Sequence, residues 1–98
     1  MLQCNMTSDL HNQLALEDLL ADLRFARKHG ELGRLALLAY CEVKTWARRT
    51  GESEVAEMAL RMFSENPHLR KEDFLQGIDS LIAKLELHES CYVHHLSV

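Results

Sequence analysis

The sequence predicts an all-α fold: a compact single-domain bundle of four helices arranged as up-down antiparallel hairpins. Three observations lead there. Breaks at Gly30, Gly51 and Asn66-Pro67 cut the chain into amphipathic segments of helical length, at about 9–29, 31–50, 53–65 and 70–87. Leu, Ala and Glu dominate the composition, and all three favour helix. With one Pro and four Gly, the chain lacks the punctuation of a turn-rich β protein and the composition of a disordered one. Connections this short join antiparallel neighbours.

The first segment is expected to open at Ser8, whose hydroxyl can accept a bond from an orphaned backbone N–H, with Asp9 adding favourable charge. Leu16, Leu19, Leu20 and Leu23 recur at three and four residues and form one apolar stripe. Leu10, Leu14 and Phe25 fall on a neighbouring part of the wheel. Arg24, Arg27, Lys28 and His29 then meet the negative end of the helix dipole before Gly30, a glycine suited to a left-handed C-cap.

The second segment carries Leu32, Leu35, Ala36, Ala39, Val43, Trp46 and Ala47 on one face, widened by Leu38 and Tyr40. It reads as the central helix, and Arg48 and Arg49 before Gly51 repeat the basic ending of the first. The third segment has Ser53 as its expected cap and buries Val55, Met58, Ala59, Met62 and Phe63. Pro67 ends it by forcing Asn66 out of helical geometry. The fourth has the cleanest stripe, Phe74, Leu75, Ile78, Leu81, Ile82 and Leu85. Gly77 inside that helix marks a close crossing. Residues 1–7 and 88–98 are expected to be flexible or loosely packed ends of a single domain spanning 1–98.

At 98 residues the chain has room for one core. A net charge of −4 argues against a domain that binds nucleic acid by neutralising phosphates. No run approaches the ~20 apolar residues of a membrane span, and the first residues lack the pattern of a secretory signal. Three cysteines, at 4, 41 and 91, form no disulfide framework and suit a reducing compartment. A cytoplasmic protein is the expectation. Met6, followed by Thr7-Ser8-Asp9, offers a second translation start, so residues 1–5 are given no structural role.

One cluster of reactive side chains stands out, His88-x-x-Cys91-x-x-His94-His95. Imidazole and thiolate are zinc ligands, and spacings of three and four bring side chains to one side of a helical turn. Against this, structural zinc sites draw ligands from two elements, and a polar tail with histidines clustered by chance gives the same string. His11, His29 or His68 would complete a site only if the fold brought them near. Cys41, mid-helix beside Tyr40, reads as a small buried hydrophobe. Asp18 and Asp22 share a helix face and read as solvated carboxylates. No phosphate-binding glycine loop, Gly-x-Ser-x-Gly elbow or His-Glu-x-x-His helix is present, so no enzyme activity and no catalytic residue is expected.

Tyr40, Val43, Gly51, Ala56 and Leu60 fall where a tetratricopeptide hairpin places an aromatic, a leucine, the turn glycine, the small residue of its second helix and a large apolar residue. Residues 40–67 thus resemble one such hairpin. Lys44, Ala47 and Phe63 depart from the pattern, Pro67 comes one residue early, and there is no second copy. The resemblance implies a helical hairpin there.

The functional expectation follows from surplus apolar area. Leu10, Leu14 and Phe25 on the first helix, or else Leu38 and Tyr40 on the second, exceed what one small core needs and are the expected interface. They point to a regulator, adaptor or chaperone-like protein acting on a protein partner or by homodimerisation. The alternatives are a zinc-binding protein using His88, Cys91, His94 and His95, and a helical nucleic-acid-binding regulator using Arg24, Lys28, Arg48 and Arg49.

Overall fold

The computed structural model describes the backbone of residues 6–65 and 70–96, and the side chains of 10–65 and 70–90. The described residues form an all-α bundle of four helices without strands. Helix α1 is Met6–Lys28 and α3 is Ser53–Glu65. Helix α4 is Lys71–Leu96. Helix α2 runs without interruption through Leu32–Leu37, a π-helical stretch Leu38–Val43, and Lys44–Thr50. Each helix packs on its neighbours in sequence, and α1 closes the ring against α4. Arg24 reaches Glu86 while Arg27 reaches Asp79, so α1 and α4 run antiparallel.

Two turns of the same design connect the first three helices. The Glu31 N–H donates to the Ala26 carbonyl at 2.9 Å and the Gly30 N–H to Arg27 at 3.3 Å. At the next turn Glu52 donates to Ala47 at 2.8 Å and Gly51 to Arg48 at 3.4 Å. This pair of bonds defines a Schellman cap, which needs a left-handed residue after the helix. Gly30 and Gly51 supply it, at φ 65° and 76°. The two caps share the sequence Ala-Arg-basic-x-Gly-Glu, and both alanines are buried. The carbonyl of Glu52 accepts the Ala56 N–H at 3.1 Å, so Glu52 rather than Ser53 occupies the N-cap of α3.

The π-helical stretch sets the register of α2. Leu35, Ala39, Val43 and Ala47 are spaced by four, and in a straight α-helix each such step overshoots a turn by about 40°. Over three steps the drift is about 120°, which spreads the four residues over a broad arc. Yet all four are buried, none more than 1% exposed. Bonds from i to i+5 give a wider turn with less rotation per residue, and this cancels the drift. The wide apolar arc of α2 is therefore a register change and not surplus surface. Leu38, expected on an exposed patch, is 6% exposed and belongs to the core.

Leu16, Leu20, Leu23 and Ala26 of α1 face this stripe at 0% exposure. Val55, Ala59 and Met62 join from α3, and Phe74, Ile78, Leu81 and Leu85 from α4. Gly77 does mark a close approach, since a Cβ there would lie 3.1 Å from Met62 Cε. Phe63, expected inside, is 59% exposed.

Both outer boundaries lie beyond their expected positions. Helix α1 starts at Met6, which places Ser8 inside its first turn, since nothing in Met6-Thr7 interrupts helical geometry. Helix α4 continues past Leu87 to Leu96, with no Gly or Pro to stop it. The break at Asn66-Pro67 and residues 1–5 lie outside the described residues.

The glycines divide by backbone conformation. Gly51→Ala forces a side chain onto a left-handed residue and should cost about 1 kcal/mol. Gly33→Ala, in a right-handed turn with open space around it, should stabilise the protein by roughly 0.5–1 kcal/mol. Thermal melts of the two variants should move in opposite directions.

Candidate functional site

Three surfaces carry the side chains that sequence reasoning singled out, or missed. The first is the outer face of α1. Leu10, Leu14 and Phe25 lie on one side of the helix and are 52%, 53% and 55% exposed. The inward face of the same helix is already complete, because Leu16, Leu19, Leu20, Leu23 and Ala26 fill the core. His29 stacks on Phe25 with ring centroids 4.1 Å apart, and its Nδ1 donates to the Phe25 carbonyl at 2.9 Å. Glu17 and Asp18 interrupt the stripe midway, and Glu17 accepts a 3.1 Å bond from the Gln13 amide.

Beside that stripe lies a groove of about 440 Å³ between α1 and α2. Leu19, Leu38 and Trp46 form its apolar floor, and Leu37 stands on its rim at 59% exposure. Asp18, Asp22 and Glu42 line its middle, with Arg34 towards the α1–α2 turn and Arg49 at the far end. Asp22 holds Arg34 at 3.5 Å. Among the described residues Asp18 and Glu42 make no ion pair. The groove depends on contacts hundreds of atoms apart, and no local motif announces it.

The second surface is aromatic. Tyr40 meets Phe63 edge-on at 5.4 Å and Phe74 at 6.3 Å, which leaves Tyr40 half-buried between α3 and α4. Burial raises the pKa of its phenol, so the ring stays neutral. Phe63 and the neighbouring Leu60 remain more than half exposed. Cys41, expected to be buried, is exposed, because it lies on the side of α2 opposite Leu35, Ala39 and Val43.

The third is a polar junction around His88. Its ring lies edge-on to Trp46 at 6.0 Å, and its Nδ1 is 3.6 Å from Glu52 Oε2. Trp46 in turn donates from Nε1 to the Asn12 carbonyl at 3.4 Å. One indole thus ties α1, α2 and α4 together, and Glu52 adds the α2–α3 turn. Next to it Lys84 pairs with Glu54. His88 is committed to this junction. Cys91, His94 and His95 fall in the last turns of α4, where side chains lie outside the described residues. Among the described residues no group of three or more His, Cys, Asp or Glu is placed to hold a metal ion. His11 and His29 are both exposed.

The basic residues assigned to helix dipoles have further duties. Arg24 bonds Glu86 at 2.7 Å and approaches Glu89 at 3.7 Å, while Arg27 grips both oxygens of Asp79 at 2.8 and 3.1 Å. These bonds raise the pKa of both guanidinium groups further. Arg24 is thus paired across to α4 while its side chain stays 46% exposed. Among the described residues no helix is long and apolar enough to cross a membrane. No protein-family model, curated protein or solved structure matches the chain.

Lys84 holds the Glu54 carboxyl below its ordinary 4.5, first through their hydrogen bond and then through charge. A depressed carboxylate stabilises the fold above its unfolded pKa, and that contribution disappears as pH falls through the folded one. Wild type should therefore melt slightly above Glu54→Gln at neutral pH. The gap should close as pH drops below the ordinary carboxylate range, as read by melting temperature against pH.

Proposed function

We propose that this chain is a helical protein-interaction module whose docking face is the outer side of α1 with the adjoining rim of the α1–α2 groove. The observation that carries this reading is the two-faced character of α1. Its core side is satisfied, yet Leu10, Leu14 and Phe25 remain more than half exposed on the other. Leu37, across the groove, extends the apolar surface to α2. Apolar side chains left exposed on one helix face, on either side of Glu17 and Asp18, offer places where another molecule can exclude water. An adaptor or regulator needs no chemistry beyond such a face.

The test is local cross-linking in the native host. A photoreactive aromatic residue at position 25 should give a discrete protein adduct, and the same residue at position 57, on the exposed polar side of α3, should not. Leu10→Ser with Leu14→Ser should abolish the adduct while changing the melting temperature little, since both side chains are half in water already. Equal labelling from positions 25 and 57 would reject the docking face. An adduct of the chain with itself, together with a dimer in sedimentation, would make the partner a second copy.

A further inference from the structure

The chemistry of the partner follows from where the charges stand on this face, and the inference rests on the docking reading above. We infer that the α1 stripe and the α1–α2 groove receive an amphipathic helix of another protein that is basic at its centre.

Two features of the face lead there. Leu10 and Phe25 bracket the exposed stripe, and Glu17 and Asp18 stand halfway between them. Asp18 also opens into the groove, where Glu42 faces it from α2 and neither carboxylate has an ion-pair partner among the described residues. The arginines are at the two ends, and Asp22 already holds Arg34. The middle of the surface is thus acidic, with apolar Leu14, Phe25 and Leu37 around it.

A second copy of the chain fits this face poorly. A two-fold axis that lays Leu10 on Phe25 of the other copy passes between Glu17 and Asp18, and so opposes each carboxylate with its own kind. Like charges brought together in a partly desolvated contact are repulsive, and such contacts exclude wrong partners. A helix with Lys or Arg at its centre reverses the sign. Its aliphatic stems lie on Leu37 and Leu38 while its charges reach Asp18 and Glu42, the way long basic side chains cover apolar surface. Apolar residues about one helical turn to one side and two to the other then meet Leu14 and Phe25.

The probes are two peptides of about 18 residues, each with Leu along one face and either Lys or Glu along the other. Titrated calorimetrically into the intact protein, the Leu/Lys peptide should bind with one-to-one stoichiometry, on the order of tenfold more tightly than the Leu/Glu peptide. Asp18→Asn with Glu42→Gln should weaken it by about tenfold. Glu57→Gln with Glu65→Gln removes the same charge from the exposed side of α3 and should leave binding unchanged. All four side chains are exposed, and unchanged helical circular dichroism verifies that each variant folds.

Equal affinity for the two peptides, no binding of either, or equal weakening by both pairs of substitutions would overturn the inference. A dimer that the Leu/Lys peptide dissociates would place a second copy on the face and overturn it as well. These failures are separable from failure of the docking reading. A site-specific adduct at position 25 without preference for the Leu/Lys peptide would keep the interaction face and reject its basic partner.

Discussion

The four-residue spacing of Leu35, Ala39, Val43 and Ala47 governs the rest of the bundle. On a straight α-helix four such residues spread over about 120°, and the π-helical stretch Leu38–Val43 narrows that arc. The two sides of the helix carry different contacts. Inward, the π-helical stretch brings Ala47 closer to the line of Leu35, Ala39 and Val43, beside Trp46, whose indole reaches Asn12 of α1 and His88 of α4. Outward, Glu42 and Thr45 line the groove and Cys41 faces solvent.

Closure of the ring between α1 and α4 divides the work between apolar and charged groups. Burying a leucine contributes ~1.5–3 kcal/mol, whereas an exposed ion pair contributes at most about 1. Leu16, Leu20 and Leu23 against Ile78, Leu81 and Leu85 therefore supply the stability of that contact. The ion pairs supply its alignment. Arg27 takes both oxygens of Asp79 in a two-pronged bond that a slide of one helical turn would break. A core of leucines alone tolerates such slides, because one leucine replaces another at nearly the same volume.

Local patterns in the sequence read the helices well and their outer faces only in part. The boundaries at Gly30 and Gly51 are legible because a left-handed cap has a chemical signature, glycine after a basic turn. The α4 stripe is legible because its spacing fits 3.6 residues per turn. The α2 stripe misleads, since a wheel drawn for a regular helix smears a four-residue repeat into a broad arc, and Leu38 then looks superfluous. The duties of Arg24 and Arg27 are hidden for another reason. Their partners lie 62 and 52 residues away, and no local rule selects Glu86 or Asp79 from the other acids. The exposure of Leu10, Leu14 and Phe25 could be suspected from the wheel, but the groove beside them needed two helices in place.

Helix α1 is anchored against both α2 and α4, and this bears on what its outer face can do. The Schellman cap fixes its junction with α2, the Trp46 bond to Asn12 fixes its N-terminal part against α2, and the two arginines fix it along α4. Ordering a flexible surface on binding costs roughly 0.5–1.5 kcal/mol per immobilised side chain, and a rigid platform avoids much of that cost. Phe25 is further restrained by its stacking on His29, so its ring is already oriented before any partner arrives. An exposed apolar side chain on a mobile loop would lose most of its burial energy to this ordering. On α1 the same side chain retains it, which favours the proposed docking face at Leu10, Leu14 and Phe25 over the equally exposed Leu60 and Phe63, which lie near the end of the shorter α3.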